Sequence, residues 1–361
     1  MTSYRPAHAR SAPLSAPALD PAQRTVVEHP GGPLLVLAGP GTGKTTTLVE
    51  AVVDRIERRG AQPDSVLVLT FGRKAAEQLR DRVTGRLGRT LASPLASTFH
   101  SFAYGLVRRY SSAELYAAPL RLLSAPEQDV ILAELLAGDP DGSLWPASFA
   151  RAVRTRGFAR EVQAVLARAR EKGLDPLDLK ELGLDADVPE LVAAARFMQQ
   201  YQVILDDQSA IDYPELIHRA VLLAEQPEIR AELRARFAHV LVDEYQDTDP
   251  SQVRLLQALA GDGRDLVVVG DPDQSIYAFR GAEVRGILDF PRAFPRRDGR
   301  PADTVALRVT RRFGPRLLRL SRAVVSGLPT TGSVDADTFA AFRDPEAVPV
   351  DGAGRHGVAA A

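Results

Sequence analysis

The sequence predicts an α/β fold in which helices cover a parallel sheet and an all-helical subdomain interrupts the sheet domain. Three observations predict it: short β-rich runs that are continuously apolar rather than alternating, helical patterns that follow three of them, and a long Leu/Ala/Arg-rich stretch between the second and third run. Continuously apolar runs are typical of strands buried on both faces. The four runs are residues 33–39, 65–71, 239–244 and 265–271.

Helical patterns follow three of these runs, in KTTTLVEAVVDRIERRG, RKAAEQLRDRVTGRLG and PSQVRLLQALAG. Alternation of strand and helix is the order of a doubly wound α/β domain, whose ligands bind at the carboxyl ends of the strands. We assign residues 19–110 and 212–300 to this domain. The sequence therefore predicts a ligand site at one edge of the sheet.

Residues 111–211 separate the two halves of this domain and are far longer than a crossover connection needs. Their helical spacing, as in QDVILAELLAG, predicts an all-helical insertion. Within 301–330, TVALRVT predicts one further strand and GPRLLRLSRAVVSGL a helix. Residues 1–18 and 331–361 show no periodicity, so we expect disordered tails there.

Composition limits the class of protein. Hydrophobic residues make up 45% and charged residues 25% of the chain, as in folded globular proteins. The absence of cysteine excludes disulfides and a cysteine nucleophile and favours a cytoplasmic location. No apolar run approaches the length of a membrane span, so no membrane partner is expected. A net charge of −1 gives no general basic field, so a nucleic-acid groove must be local.

The segment AGPGTGKT, residues 38–45, has the form of a phosphate-binding loop between a predicted strand and a predicted helix. Its glycines let backbone N–H groups converge on a polyphosphate at the helix N-terminus. Lys44, one of only four lysines among 45 basic residues, is predicted to reach the β- and γ-phosphates, and Thr45 to bind Mg²⁺. A glycine-rich turn with a chance lysine is the alternative. The residues assigned to ATP binding here are Ala38, Gly39, Pro40, Gly41, Thr42, Gly43, Lys44, Thr45 and Thr46.

An acidic pair follows the third predicted strand, in LVDEYQD at residues 241–247. Asp243 is predicted to hold Mg²⁺ through water, and Glu244 to orient or deprotonate the attacking water. Two carboxylates on a solvated strand end are the alternative. With the phosphate loop upstream, the pair predicts hydrolysis of a nucleotide rather than binding alone.

Seven segments resemble, in the same order, motifs of superfamily 1 helicases of the UvrD/Rep/PcrA type, and together they span residues 19 to 282. The resemblance implies a RecA-like P-loop NTPase lobe, with ATP-driven translocation on single-stranded DNA and at its junctions with duplex. The family usually moves 3′ to 5′ and acts in repair or recombination. The segments are LDPAQ (19–23), AGPGTGKT (38–45), LTFGRKAA (69–76), STFHSF (97–102), IDYPEL (211–216), LVDEYQDTDPSQ (241–252) and VVGDPDQSIYAFRGA (268–282).

The resemblance gives nucleotide-related roles to three more side chains. Gln23 is expected to read the adenine edge, because an amide donates and accepts at once; a polar residue at a helix start is the alternative. Gln274 is expected to sense the γ-phosphate, and Arg312 to reach it from a second lobe. Arg311 stands where the family has a tyrosine that stacks on adenine, a role that a guanidinium fills less well.

The resemblance also implies contacts with single-stranded DNA. Aromatic stacking suits a translocating protein, because every base has a π-face. Core packing is the alternative for the aromatic residues, a structural hydrogen bond for His100 and a helix cap for Asp212. The residues implied in DNA binding are Thr70, Phe71, Lys74, Thr98, Phe99, His100, Tyr277, Phe279 and Arg280.

The chain departs from the family pattern after residue 300. It contains no Thr-x-His-x-x-Lys-Gly-Leu segment and no closing Thr-Arg-Ala run, so 301–330 is interpreted as the start of an incomplete second lobe. We expect the sequence to be part of a longer protein, and the chain alone to bind Mg-ATP weakly, hydrolyse it slowly and unwind little or no DNA. Two alternatives remain: a non-motor ATP- and DNA-binding module that needs a partner helicase or nuclease subunit, and an RNA-directed or regulatory P-loop ATPase.

Overall fold

Parallel strands form the largest sheet of the computed structural model, which describes residues 14–91, 95–111, 120–138, 144–276, 284–327 and 332–348. The described strands are β1 (Pro33–Ala38), β2 (Val66–Thr70), β3 (Ala96–Thr98), β4 (Arg121–Leu122), β5 (Ala210–Ile211), β6 (His239–Val242), β7 (Asp265–Gly270), β8 (Asp303–Leu307), β9 (Val309–Thr310) and β10 (Glu346–Ala347).

The described helices alternate with these strands or cluster between β3 and β6. They are α1 (Pro21–Val27), α2 (Lys44–Glu57), α3 (Arg73–Leu87), α4 (Phe99–Tyr110), α5 (Ala125–Ala137), α6 (Arg156–Glu171), α7 (Pro176–Asp185), α8 (Pro189–Asp207), α9 (Tyr213–Ala224), α10 (Pro227–Arg236), α11 (Pro250–Ala260), α12 (Val284–Ala293), α13 (Pro315–Val325) and α14 (Ala336–Arg343). None of them is both long and apolar enough to cross a membrane.

Six strands pair in the order β3-β2-β6-β7-β1-β8, and every pairing is parallel. All six residues of β1 and all five of β2 are buried, which explains why β1 and the first four residues of β2 are apolar. The core around them includes Leu34, Val36, Leu48, Val68 and Val267. The prediction of a parallel α/β fold is confirmed.

Two compact units make up the chain. The first takes its residues from Met1–Thr98, Ala231–Thr248 and Leu259–Ala361, and it contains the six-stranded sheet. The second takes its residues from Phe99–Arg230 and Asp249–Ala258. These limits follow spatial contacts, so the predicted assignment of residues to named lobes stays a prediction.

Helices dominate the second unit, with one short parallel pair, β4 and β5, among its described residues. The rings of Trp145 and Phe158 pack edge to face with centroids 4.9 Å apart, and Phe197 lies 5.9 Å from Trp145. Met198 and Leu205 are buried in the same cluster. The predicted insertion, 111–211, lies within the limits of this unit.

The structure differs from the sequence-based expectation after residue 300. Strand β8, expected to begin a second lobe, instead pairs with β1, with Leu34 opposite Asp303 and Ala38 opposite Leu307. It is an edge strand of the first unit's own sheet, where it pairs with the side of β1 away from β7 and so satisfies backbone groups of β1 that would otherwise lie at the sheet edge.

The expectation of a disordered tail over 331–361 is wrong for residues 336–347. Helix α14 buries Phe339 and Phe342, and β10 pairs with β9. A helix of eight residues has only about two turns, so its apolar spacing is too short to stand out as periodicity. The remaining predicted tail residues outside 14–18 and 332–348 lie outside the described part of the chain.

Candidate active site

The predicted phosphate loop lies between the end of β1 and the start of α2, at the carboxyl edge of the parallel sheet. Gly41 and Gly43 have φ angles of 76° and 88°, in the left-handed region that favours glycine. The hydroxyl of Thr42 donates to the carbonyl oxygen of Gly39 at 2.7 Å and tightens the turn. The backbone thus curls in front of the N-terminus of a 14-residue helix.

Side chains would not fit at these two glycines. A Cβ at Gly43 would collide with the amide of Gln23, and a Cβ at Gly41 would collide with Cβ of Arg312 and lie 2.8 Å from Oγ1 of Thr310. The loop is therefore enclosed by neighbouring segments as well as strained in backbone conformation. Both constraints require glycine.

Gln23 joins the start of α1 to the loop. Its Nε2 donates to the carbonyl oxygen of Thr42 at 3.0 Å, and its Oε1 accepts from the backbone N–H of Asp20 at 3.1 Å. The Asp20 carboxylate accepts from the Gln23 N–H at 2.9 Å, which completes a capping box. The structural alternative for Gln23 is therefore present, and contact with adenine stays a prediction.

Lys44 and Glu244 form an ion pair, with Nζ and Oε2 3.1 Å apart. Glu244 follows β6 with a φ of 53°, a left-handed conformation that is uncommon outside glycine. The same Oε2 accepts from Nε2 of Gln246 at 2.9 Å. The structure thus brings the predicted phosphate-binding lysine and the predicted base together.

Asp243 is the more enclosed carboxylate of the acidic pair. Its backbone N–H donates to the carbonyl oxygen of Leu69 at 2.9 Å, and its Oδ1 accepts from the N–H of Glu244 at 3.1 Å. Burial raises the pKa of Asp243 to about 6, the Glu244 carboxylate adds to the rise, and Lys44 opposes it. A cation beside Asp243 would stabilise its charged form.

Two further carboxylates near Lys44, those of Asp247 and Asp271, carry negative charge that nearby positive groups compensate poorly. Burial raises the pKa of Asp247 to about 6, with a further contribution from Glu244, and burial likewise raises the pKa of Asp271 to about 6. Among the described residues, Oδ1 of Asp247 is buried without a hydrogen-bond partner. The site therefore carries more carboxylates than ammonium groups, which suits a bound cation.

Gln246 connects the acidic pair to the GDPDQ turn, and sequence reasoning missed it. Its Oε1 accepts from the backbone N–H of Asp271 at 2.9 Å while its Nε2 donates to Glu244. A Cβ at Gly270 would lie 2.7 Å from that Oε1, so glycine permits the approach. The signal in the sequence was an amide two residues after Glu244, inside the same motif.

Gln274 ends a short 3₁₀ turn, Pro272–Gln274, that directly follows β7 and Asp271. Its side-chain amide donates to Oδ2 of Asp271, and Oδ1 of Asp271 accepts from the N–H of Asp273 at 3.0 Å. Gln274 is exposed. The predicted γ-phosphate sensor is thus hydrogen-bonded to a turn that Gln246 ties to the acidic pair.

The segment after β8 lies against the phosphate loop. Thr310 donates through Oγ1 to the carbonyl oxygen of Pro40 at 2.9 Å, and the N–H of Arg311 donates to that of Gly41 at 2.9 Å. The Arg311 guanidinium pairs with Asp20 at 3.2 Å. Arg312 is exposed beside Gly41, so both arginines lie at the loop, within the first unit.

The residues predicted to contact DNA divide by burial. Thr70 is fully buried, its hydroxyl has no hydrogen-bond partner among the described residues, and Phe99 is 2% exposed. These side chains offer no surface to a nucleic acid, and for Phe99 this is the core-packing alternative. Thr98 is also buried. Phe71 is half-buried, and Lys74 is exposed in the first turn of α3.

His100 packs edge to face against Tyr213, with ring centroids 5.1 Å apart. Burial lowers the pKa of His100 to about 4, so the imidazole is neutral at pH 7 and provides no charge for a phosphate. Asp212 caps α9 by accepting from the N–H of Glu215 at 2.9 Å, as the alternative for that residue predicts. Tyr277, Phe279 and Arg280 lie outside the described residues.

Comparison with known proteins agrees with the motif order. Residues 19–295 match the model of the family described as UvrD/REP helicase N-terminal domain. The chain is 35% identical over 287 residues to ATP-dependent DNA helicase UvrD1 of Mycobacterium tuberculosis strain H37Rv, a match that covers 77% of this chain and 36% of the relative.

Two further relatives give the same result. The chain is 31% identical over 309 residues to DNA helicase II of Escherichia coli K12, covering 85% of this chain and 40% of that protein. It is 29% identical over 311 residues to ATP-dependent DNA helicase PcrA of Bacillus subtilis 168, covering 85% and 39%. In these three matches the chain therefore spans 36% to 40% of the length of its relatives.

Proposed function

This chain belongs to the UvrD/Rep helicase family, and we propose that it is the ATP-binding portion of a DNA helicase that couples ATP hydrolysis to movement on single-stranded DNA. The observation that carries the proposal is the ion pair between Lys44 of the phosphate loop and Glu244 of the acidic pair. It joins the cation proposed to bind phosphate to the carboxylate proposed to act on water.

The loop fits the triphosphate of ATP. Gly41 and Gly43 hold the curled backbone that P-loops use to direct N–H groups at phosphate oxygens. The side chain of Lys44 is 14% exposed. When ATP binds, its ammonium group would donate hydrogen bonds to β- and γ-phosphate oxygens and bond less to Glu244. Gln23 stabilises the loop by donating a hydrogen bond to the carbonyl oxygen of Thr42.

The donor set also fits Mg²⁺. Magnesium takes oxygen ligands and is commonly bound through one or two protein groups, with water and phosphate oxygens completing its shell. Thr45 offers a hydroxyl in the first turn of α2, and buried Asp243 offers a carboxylate whose charge is poorly compensated. When bound, Mg²⁺ would neutralise charge on the phosphate oxygens. Among the described residues, no cluster of three or more histidine, cysteine, aspartate or glutamate side chains is arranged to bind a metal alone.

Glu244 is the proposed general base. Both hydrogen bonds that fix its carboxylate, from Lys44 and from Gln246, are accepted by Oε2. We assign to Oε1 the acceptance of a proton from the attacking water. Lys44 and Gln246 thus orient the base, and replacing Glu244 by glutamine removes the proton acceptor while keeping a group that can bond to Lys44.

Gln274 is the proposed sensor of the γ-phosphate. Its amide hydrogen-bonds Asp271, whose backbone N–H is held by Gln246. Rotation of the Gln274 amide from Asp271 toward a phosphate oxygen would change the bonding of a turn that leads directly into residues 277–280. Arg312, exposed beside Gly41, would provide further positive charge at the phosphates.

DNA binding is supported by the names of the relatives, each called a DNA helicase. We propose Lys74 and Phe71 as contacts in the first unit, and Tyr277, Phe279 and Arg280 as contacts in the segment after Gln274. On the family resemblance we also propose movement 3′ to 5′, action at duplex junctions and a role in repair or recombination, with a partner helicase or nuclease subunit as the alternative source of activity. Absence of cysteine supports a cytoplasmic location.

Equilibrium binding of a fluorescent ATP analogue, with and without Mg²⁺, tests the nucleotide part of the proposal. Wild-type protein is expected to bind in a Mg²⁺-dependent manner, and binding is expected to be competed by ATP and ADP. Mg²⁺-independent binding, or none at millimolar nucleotide, would overturn it. Slow turnover that rises only when a partner chain is added would instead favour the non-motor module.

A further inference from the structure

Arg343, at the end of α14, forms a two-pronged ion pair with Asp273 of the GDPDQ turn. Nε of Arg343 donates to Oδ2 of Asp273 at 2.9 Å, and Nη2 donates to Oδ1 at 2.6 Å. The two side chains are only 13% and 12% exposed. Parallel N–H···O bonds between a guanidinium and a carboxylate fix orientation as well as distance.

Helix α14 is itself anchored beside the phosphate loop. Phe342 is 3% exposed, and one of its ring carbons lies 3.9 Å from the place a Cβ would take at Gly39. The guanidinium of Arg343 lies over the ring of Phe339, 4.6 Å from its centroid, in a cation–π contact. After the helix, β10 pairs in parallel with β9.

Asp273 lies in the turn that carries Gln274. Asp271 directly precedes the turn and stabilises it, because its carboxylate accepts hydrogen bonds from both the Asp273 N–H and the Gln274 amide. If the Gln274 amide leaves Asp271 for a phosphate, the turn loses one of these bonds. Arg343 supplies an anchor on the Asp273 side chain that does not depend on the position of Gln274.

We propose that Arg343 is a positioning residue for nucleotide hydrolysis, holding the turn through Asp273 so that Gln274 can reach the γ-phosphate without displacement of its backbone. The inference rests on the proposed function. Arg343 acts through Asp273 and Gln274, and it lies beyond residues 19–295, the part of the chain that matches the family.

Steps that need the γ-phosphate should depend on Arg343, and steps that do not need it should be independent of Arg343. ADP binding depends on Lys44 and the loop glycines, which the turn does not hold. We therefore expect Arg343→Ala to bind ADP within about twofold of wild type. Its kcat for ATP is expected to fall at least about tenfold, because small misplacements of a positioning group cost one to two orders of magnitude. Arg343→Lys keeps the charge but cannot form the two-pronged ion pair, so its kcat should lie between those of wild type and Arg343→Ala.

The experiment measures ADP affinity, kcat and KM for ATP, and the melting temperature of wild type, Arg343→Ala, Arg343→Lys and Arg300→Ala. Arg300, in an exposed pair with Asp298, is the matched control for loss of one surface arginine and should leave all four quantities unchanged. If Arg343→Ala does not fold, Arg343→Lys carries the test, because it keeps the positive charge.

The outcomes distinguish the two proposals. A lower melting temperature with unchanged kcat in both Arg343 variants means that the ion pair only stabilises α14, and this overturns the positioning role while the proposed function stands. Equal losses of ADP binding and kcat also overturn it. Failure of the wild-type protein to bind any nucleotide overturns both proposals.

Discussion

Lys44 Nζ lies 3.1 Å from Glu244 Oε2, although the two residues are 200 positions apart in the sequence. The contact links the start of α2 to the end of β6 at one edge of the sheet. The lysine therefore has two competing partners, the carboxylate that it now bonds and the phosphate that it is proposed to bind. Replacing either residue changes the environment of the other.

Lys44→Ala is expected to abolish detectable nucleotide binding, because it removes the ammonium group that lies in the loop. Lys44→Arg is the matched variant, which keeps the charge but places a planar guanidinium where a compact group fits. We expect it to weaken binding strongly as well. Titration of both variants with a fluorescent ATP analogue checks this, and wild-type affinity in Lys44→Ala would contradict the site.

Gly41→Ala is expected to destabilise the chain. Its φ of 76° disfavours any side chain, and the new Cβ would collide with Arg312. A cost of about 1–3 kcal/mol in the free energy of unfolding follows for one strained residue. Gly286→Ala is the control, because that glycine lies in α12 with nothing within 4 Å of a new Cβ. Urea denaturation should show a gain of about 0.5–1 kcal/mol there, and equal losses in both variants would refute the strain.

Arg55 is fully buried and joins α2 to the first residue of β7. Nε and Nη2 each lie 2.9 Å from a different oxygen of Asp265. Burial alone would raise the pKa of Asp265, but His239 and Arg55 hold it at about 2. Arg55→Met leaves the buried Asp265 carboxylate without its guanidinium partner, so we expect a loss of about 3–5 kcal/mol in the free energy of unfolding. A loss below about 1 kcal/mol would show that His239 alone compensates it.

The pKa of His100 gives a pH dependence of known sign. Burial lowers this pKa from 6.5 to about 4, so the unfolded chain binds a proton at higher pH than the folded chain. The contribution of His100 to the free energy of unfolding should therefore fall as pH falls from about 6.5 towards 4. Asp243, Asp247 and Asp271, whose pKa values burial raises, contribute in the opposite direction, so the test compares His100→Gln with wild type. His100→Gln is expected to reduce this slope, and His29 and His218, whose pKa values burial also lowers, retain part of it. Urea denaturation at pH 5 and pH 7 checks this; identical slopes would contradict it.

The sheet could be predicted from sequence because strands buried on both faces are apolar along most of their length rather than at alternate positions. Both residues of the Lys44–Glu244 pair were predicted because each belongs to a short motif beside such a strand, and parallel strands bring their carboxyl ends to one edge. Chemistry carried by residue type and local spacing was therefore visible in the sequence.

Contacts that depend on three-dimensional proximity were not visible. Gln246 bonds Asp271 only because β6 and β7 are neighbours in the sheet. Arg343 reaches Asp273 from a helix too short to show periodicity, 70 residues further along the chain. The edge position of β8 was missed because the residues of a single strand do not indicate which strand it pairs with.

Steady-state ATP turnover by wild type and Glu244→Gln, each with and without a single-stranded oligonucleotide, tests the central claim most directly. The site predicts slow wild-type turnover, with at most a modest rise when single-stranded DNA is added to the chain alone. Loss of the base in Glu244→Gln should lower turnover about a hundredfold or more with ATP affinity retained. Equal turnover by the two proteins, or robust DNA stimulation with strand separation by the wild-type chain, would contradict the account.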